Sequence, residues 1–157
     1  MNITTLMSGI VARLSREQSR ELTRLGVSLP GARLLCLLLE CEILRCSTLA
    51  GVLGIDAPTL SHVLRALATR DLITRGRARD DNRSVEVRLT PEGRVVASQC
   101  RDIERITERD LLEGLDVADV ARLASILGRL DHNLSSPRER SIDIAREAAR
   151  VLENAEG

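Results

Sequence analysis

The chain has 157 residues, balanced charge at neutral pH and no Phe, Tyr or Trp. That length favours one domain, or one domain with helical arms, and the longest unbroken apolar run, Leu34 to Leu39, is far too short to span a bilayer. With no aromatic ring to stack on a splayed-out base, RNA-recognition modules of that kind are excluded.

The first residues lack a basic stretch followed by a continuous apolar block, so no secretory leader is expected and the expected location is the cytoplasm. Ile3, Leu6, Met7, Ile10, Val11 and Leu14 recur at helical spacing and predict an amphipathic first helix running toward Leu25. Gly26 ends it, and Ser28 to Pro30 start a second helix that is apolar nearly all round, the expected core helix. Cys36, Cys41, Cys46 and Cys100 are the only cysteines. Steps of five residues turn about 140° along a helix, so the first three share no face. With only His62 and His132 beside them, no zinc spacing appears, and reduced, mostly buried thiols are expected. No metal or cofactor is expected.

The segment "STLAGVLGIDAPTLSHVLRALATRDL" carries the most information. Ser47 is placed to cap a short helix, Gly54 supplies a tight turn, and Asp56 caps a second helix with Pro58 in its first turn. This is the pattern of a helix-turn-helix. On the second helix, Leu60, Val63, Leu64 and Leu67 fall within about 100° of one another. The remaining face offers Pro58, Ser61, His62, Arg65, Ala66 and Thr69 and contains no acid, which suits a negatively charged groove. Arg65 is the candidate for guanine and His62 for a base edge or phosphate, while Thr59 and Ser61 fit phosphate or capping roles.

After Asp71 the period changes to two. "LITRGR" and "SVEVRL" predict a hairpin with Val85, Val87 and Leu89 on one side and Glu86 and Arg88 on the other. The basic excess of the chain lies here: residues 65–94 hold 8 Arg against 5 acids, whereas residues 95–157 hold 9 against 13. Thr90 and Pro91 then open a helix to about Gly114, and "DVADVARLASILGRLDHNL" predicts one more, with Val117, Val120, Leu123, Leu127 and Leu130 on its apolar side. Two histidines and no Ser-His-Asp, Cys-His, phosphate-loop or metal constellation leave no candidate catalytic residue, so no enzyme is expected.

The order of these elements, with "LAGVLGIDAPTLSHVLRALATRDLITR" and "DDNRSVEVRLTPEG", resembles the MarR (multiple-antibiotic-resistance regulator) family of winged helix-turn-helix regulators. The family's wing signature falls on Asp81, Arg83, Leu89, Thr90 and Gly93, and the resemblance spans residues 3 to 134. It implies a mainly α fold with a small β-hairpin wing. A dimerisation helix over 1–27, a DNA-binding lobe over 28–90 and dimerisation helices over 91–136 would precede a helix or tail over 137–157. It further implies a cytoplasmic homodimer on a pseudo-palindromic operator in double-stranded DNA, usually a repressor released by a small molecule, with no membrane partner. Arg77, Arg79 and Arg83 then become wing contacts to DNA, and Asp81 supports the wing by holding Arg83.

Three positions depart from the family pattern. Asn82 replaces a second arginine, Asp71 a glycine, and Ala32 a common aromatic of the ligand pocket. The family's pocket, at the junction of the first, second and fifth helices, would include Arg13, Arg16, Arg33 and Cys36. Aliphatic walls with arginine anchors imply an anionic effector. Two other readings of the same residues remain: a cysteine-based redox regulator, and a winged-helix interaction module that binds no DNA.

Overall fold

The computed structural model describes residues 2–77 and 85–134. Arg79, Asp81 and Arg83 at the expected wing tip, and the expected tail over 137–157, lie outside the described residues. The chain divides into two units, Met1–Leu111 and Leu112–Gly157.

In the first unit, α1 (Ile3–Leu25) starts at Asn2, whose side chain accepts from the Thr4 amide, and stops at Gly26 in the left-handed conformation (φ 64°). α2 (Leu29–Cys41) follows at once, with the Ser28 hydroxyl accepting from the Gly31 amide and Pro30 in its first turn. It is the core helix expected: Leu34, Leu35 and Leu38 are wholly buried, and α2 packs on α1, on the short helices of the lobe and on α5 (Pro91–Leu111). In the absence of aromatic rings, the core is built of leucine, valine, alanine, isoleucine and cysteine.

A strand that periodicity does not reveal, β1 (Ile43–Arg45), leads straight into α3 (Cys46–Leu53). α3 therefore begins one residue before the expected cap, Ser47. Its N-cap is Arg45, which makes no side-chain capping bond; the Thr48 hydroxyl donates to the Arg45 carbonyl at 2.8 Å. The incoming strand, not a hydroxyl, sets where this helix starts. After α4 (Ala57–Thr69), β2 (Ile73–Arg77) and β3 (Val85–Leu89) complete an antiparallel sheet of order β1-β3-β2. Leu44 and Arg75 both lie opposite Val87, which is fully buried at the sheet's centre. The expected hairpin and its inward face of Val87 and Leu89 are therefore present, with β1 as a third strand.

The base of the hairpin is tied to α4 and α5 by one knot of backbone and hydroxyl. Asp71, just past α4, takes φ 55°, a region Asp tolerates better than most residues. Its carbonyl accepts from the Thr90 hydroxyl at 2.6 Å, and the Thr90 amide donates to the Leu72 carbonyl at 3.1 Å. The same hydroxyl oxygen accepts from the Gly93 amide at 2.9 Å, capping α5 as expected. A Cβ on Gly93 would collide with the Leu72 carbonyl oxygen. The Leu-Thr-x-x-Gly run is thus a structural clamp.

α5 stops at Leu111 rather than at the expected Gly114, because Leu115 turns back onto the Leu112 carbonyl and Gly114 takes φ 84°. In the second unit, α6 (Val117–Leu134) is capped by Asp116, whose carboxylate accepts from the Asp119 amide at 2.8 Å. Leu123, Ile126, Leu127 and Leu130 on α6 are all exposed. Among the described residues, no single helix is long and apolar enough to cross a membrane.

Two substitutions test the clamp. Gly93→Ala should destabilise the fold by about 3 kcal/mol or more, since backbone must move to admit the methyl. Asp71→Gly should stabilise it by up to about 1 kcal/mol by relieving the left-handed strain. Urea unfolding measures both, and an unchanged midpoint for Gly93→Ala would contradict the packing described.

Candidate nucleic-acid interface

The α3–turn–α4 pair is built as the sequence dictates. Gly54 takes φ 63°, the Ile55 amide bonds the Ala50 carbonyl, and the Asp56 carboxylate accepts from the Thr59 amide at 2.8 Å. Hydrogen bonds from the Thr59 side chain and amide hold the Asp56 carboxyl below its ordinary pKa. Thr59 is therefore engaged in capping α4, which is the role its position in the sequence allowed beside phosphate contact.

α4 buries Leu60, Val63, Leu64 and Leu67 against the core and leaves Pro58, Ser61, His62, Arg65, Ala66 and Thr69 exposed. Ser61, His62 and Arg65 thus share one solvent face on a helix that carries no carboxylate between Ala57 and Thr69. Arg77 is exposed at the end of β2, paired in register with Val85 where the described hairpin stops.

Arg75 is a residue that the sequence reading missed. It is exposed, and it lies two residues from Arg77 on β2, hence on the same side of the strand. That alternation was the available signal. Arg75 also hydrogen-bonds the thiol of Cys46, the first residue of α3; burial pushes that thiol up, and Arg75 partly offsets it. Arg88, by contrast, is paired with Glu86 at 3.1 Å.

The four residues expected to hold an effector do not come together. Arg33 and Cys36 line a cleft of about 20 Å³ between α1, α2 and α5, beside Gln18, Cys100 and Glu104, which is room for roughly one water molecule. Arg13 lines a separate open groove of about 300 Å³ between α1 and α5, together with Glu17 and Asp110. Arg16 is exposed and lines neither. Arg33 and Arg13 each share a recess with a carboxylate, so neither recess is the arginine-only anchor that the resemblance implied. Within the first unit the buried Gln18 amide donates to the Thr107 hydroxyl at 3.1 Å, so its polarity is already satisfied.

The cleft keeps its thiols protonated. Burial, aided by Glu104 and Cys100, pushes Cys36 up to about 12. Burial pushes Cys100 up to about 11, against the opposing charge of Arg70. A thiol attacks oxidants as the thiolate, so this environment works against the redox reading. Among the described residues, no group of three or more His, Cys, Asp or Glu could hold a metal ion.

Comparison with known proteins finds the same architecture in a family of regulators. Residues 27–85 match the model of the MarR family. A MarR-family transcriptional regulator from Silicibacter pomeroyi is 28% identical, with a TM-score of 0.75 over 83% of this chain and 88% of that one. A mutant MarR from E. coli, complexed with operator DNA, shares the fold at 22% identity and TM-score 0.72, over 82% and 92% of the two chains. So does BpsR of Bordetella bronchiseptica, whose DNA binding is regulated by 6-hydroxynicotinic acid, at 19% identity and TM-score 0.73, over 82% and 98%.

The chain contains neither lysine nor tyrosine, so the raised thiols can be read directly in alkali. A group favoured in its protonated form by folding contributes stability that is intact below its unfolded pKa and lost as pH rises toward the folded value. Between the ordinary 9.0 and about 11, unfolding free energy should fall as the pH rises. Each thiol should account for up to about 1.4 kcal/mol per pH unit. Cys36→Ala and Cys100→Ala should each flatten the slope, and a pH-independent stability across that window would refute the buried, protonated pair.

Proposed function

We propose that the chain, whose residues 27–85 match the MarR family model, regulates transcription as a homodimer bound to a pseudo-palindromic operator, most simply as a repressor that a small molecule releases. The observation that carries this reading is the acid-free solvent face of α4, with Ser61, His62 and Arg65 displayed on a helix capped at one end and clamped at the other. α4 is taken as the recognition helix in the major groove, Arg65 as the reader of guanine, and His62 and Ser61 as supporting contacts. Arg77, and with it Arg75, supplies positive charge at the base of the wing. Arg79, Arg83 and Asp81 keep the wing roles that the resemblance gives them.

Dimerisation is supported by apolar surface that a monomer rarely leaves in water. α1 exposes Ile3, Leu6, Met7, Ile10 and Val11, and α6 separately exposes Leu123, Ile126, Leu127 and Leu130. Residues 1–27 and 91–136 are accordingly assigned to the dimer interface and 28–90 to DNA. The operator-bound E. coli protein and the 6-hydroxynicotinic acid-regulated B. bronchiseptica protein support operator binding and effector release by analogy of fold. An anionic effector is less favoured than the arginines alone suggested, since Glu104, Glu17 and Asp110 share the two recesses.

Sedimentation should give a dimer at micromolar concentration, and the unfolding midpoint should rise with protein concentration. Ile10→Asp should shift the equilibrium to monomer. A wild-type monomer with a concentration-independent midpoint would remove the architecture proposed.

On the duplex that wild type prefers, Arg65→Ala should cost about 1–3 kcal/mol and relax preference at one base pair per half-site. Arg77→Ala should weaken binding evenly across sequences and make its salt dependence shallower. Gel shifts over a salt series measure both. Absence of binding to any duplex would favour the interaction-module reading.

A further inference from the structure

The C-terminus of α4 is gripped from two sides. One grip is the Thr90 clamp on Asp71 and Leu72. The other is Arg70, the C-cap residue of α4, whose Nη1 donates to the Gly26 carbonyl at 2.6 Å, 44 residues back in the chain.

Gly26 is itself the C-cap of α1. The last carbonyls of a helix carry partial negative charge and lack partners within it, so a guanidinium there is favourable. Arg70 therefore uses its side chain to cap a different helix from its own. The fit is close: a Cβ on Gly26 would lie 3.3 Å from Arg70 Nη1. Beside it, Val27 is buried, and a Cβ on Gly31 would lie 3.6 Å from Leu67 Cδ2 in the last turns of α4. The α1–α2 corner and the end of α4 form one packed joint.

Arg70 does not belong to the face assigned to DNA. It follows Arg65 by five residues, which is about 140° round the helix, and its guanidinium is turned toward α1. Its charge also reaches Cys100 on α5, on the lining of the small cleft.

We propose that Arg70 is a positioning residue for operator recognition: by capping α1 from the end of α4, it fixes the angle of α4 to the α1 arm and so selects the spacing between half-sites. The inference rests on the homodimeric DNA-binding reading above and deepens it. A bond between elements of the DNA lobe and the dimerisation arm is where the separation of two recognition helices would be set, since dimer half-site spacing is a geometric property.

The test uses the full chain and two variants. Arg70→Met removes the donors and keeps most of the stem, while Arg70→Lys keeps a charge and a donor. Each is titrated with the duplex that wild type selects from a randomised pool, and with that duplex carrying one inserted base pair between half-sites, over a salt series. Hydrogen exchange is followed in the free protein.

Arg70→Met should lose about three- to tenfold in affinity for the selected duplex. Its preference over the inserted duplex should shrink while the salt slope stays unchanged, and Arg70→Lys should recover part of the loss. In the free variant, amides of residues 26–27 and 68–72 should exchange faster while the centre of α2 holds. A shallower salt slope with spacing preference intact would make Arg70 a phosphate contact and overturn the proposal, as would unaltered exchange at the joint. If wild type selects no duplex, the regulator reading fails and the spacing role fails with it; exchange then still reports whether the cap exists.

Discussion

The contact on which the rest of this structure depends is the hydroxyl of Thr90, shared between the Asp71 carbonyl and the Gly93 amide. It closes three elements at one point: the end of α4, the end of β3 and the start of α5. Without it the Asp71 carbonyl and the Gly93 amide would each lose this partner, at a cost of about 1–3 kcal/mol per group where water is scarce. Gly93 makes the closure possible by letting the Leu72 carbonyl approach where no Cβ fits. The DNA reading proposed above requires α4 to keep a fixed angle, and this knot sits at its C-terminal end.

Around the knot the core holds aliphatic side chains and two buried thiols, with no ring among them. Leucines of α2 fill the space between α1, α5 and the lobe, and Val87 closes the sheet against them. Branched aliphatic side chains pack closely, which agrees with the small size of the cleft at the α1–α2–α5 junction. Where many binding pockets are walled by rings, this junction is walled by Leu22, Leu29, Ala32 and Ile103, with two thiols among them. Burial there favours neutral sulfur, so Cys36 and Cys100 act as small apolar packing groups.

Much of this was legible in the sequence, because caps and periods are local. Ser28, Gly54, Asp56 and Thr90 announce their roles within four residues of where they act, and the buried stripe of α4 follows from spacing alone. What was missed depends on partners distant in the chain. β1 is three residues long, exists by pairing with β3 some forty residues later, and moves the start of α3 off Ser47. The end of α5 was misjudged because a glycine can either end a helix or follow a turn. Among the candidate site residues, Ser61, His62, Arg65 and Arg77 stand exposed on the elements expected of them. Arg13, Arg16 and Arg33, grouped by the resemblance alone, are dispersed, since a family's pocket position does not fix how these two helices are rotated against each other.

Apart from the His62 imidazole, the exposed basic groups of the lobe among the described residues are guanidinium groups, for the sequence has no lysine. Arginine keeps its proton across the whole physiological range, and its nitrogens are not targets of the acyl transfer that neutralises lysine ammonium groups. The positive charge near α4 and β2 is therefore permanent: neither a shift in pH nor acetylation can erase it. Control over such a surface is left to two routes, a displacement of the helices that carry the arginines, or a new negative charge, such as a phosphate on a hydroxyl, placed beside them.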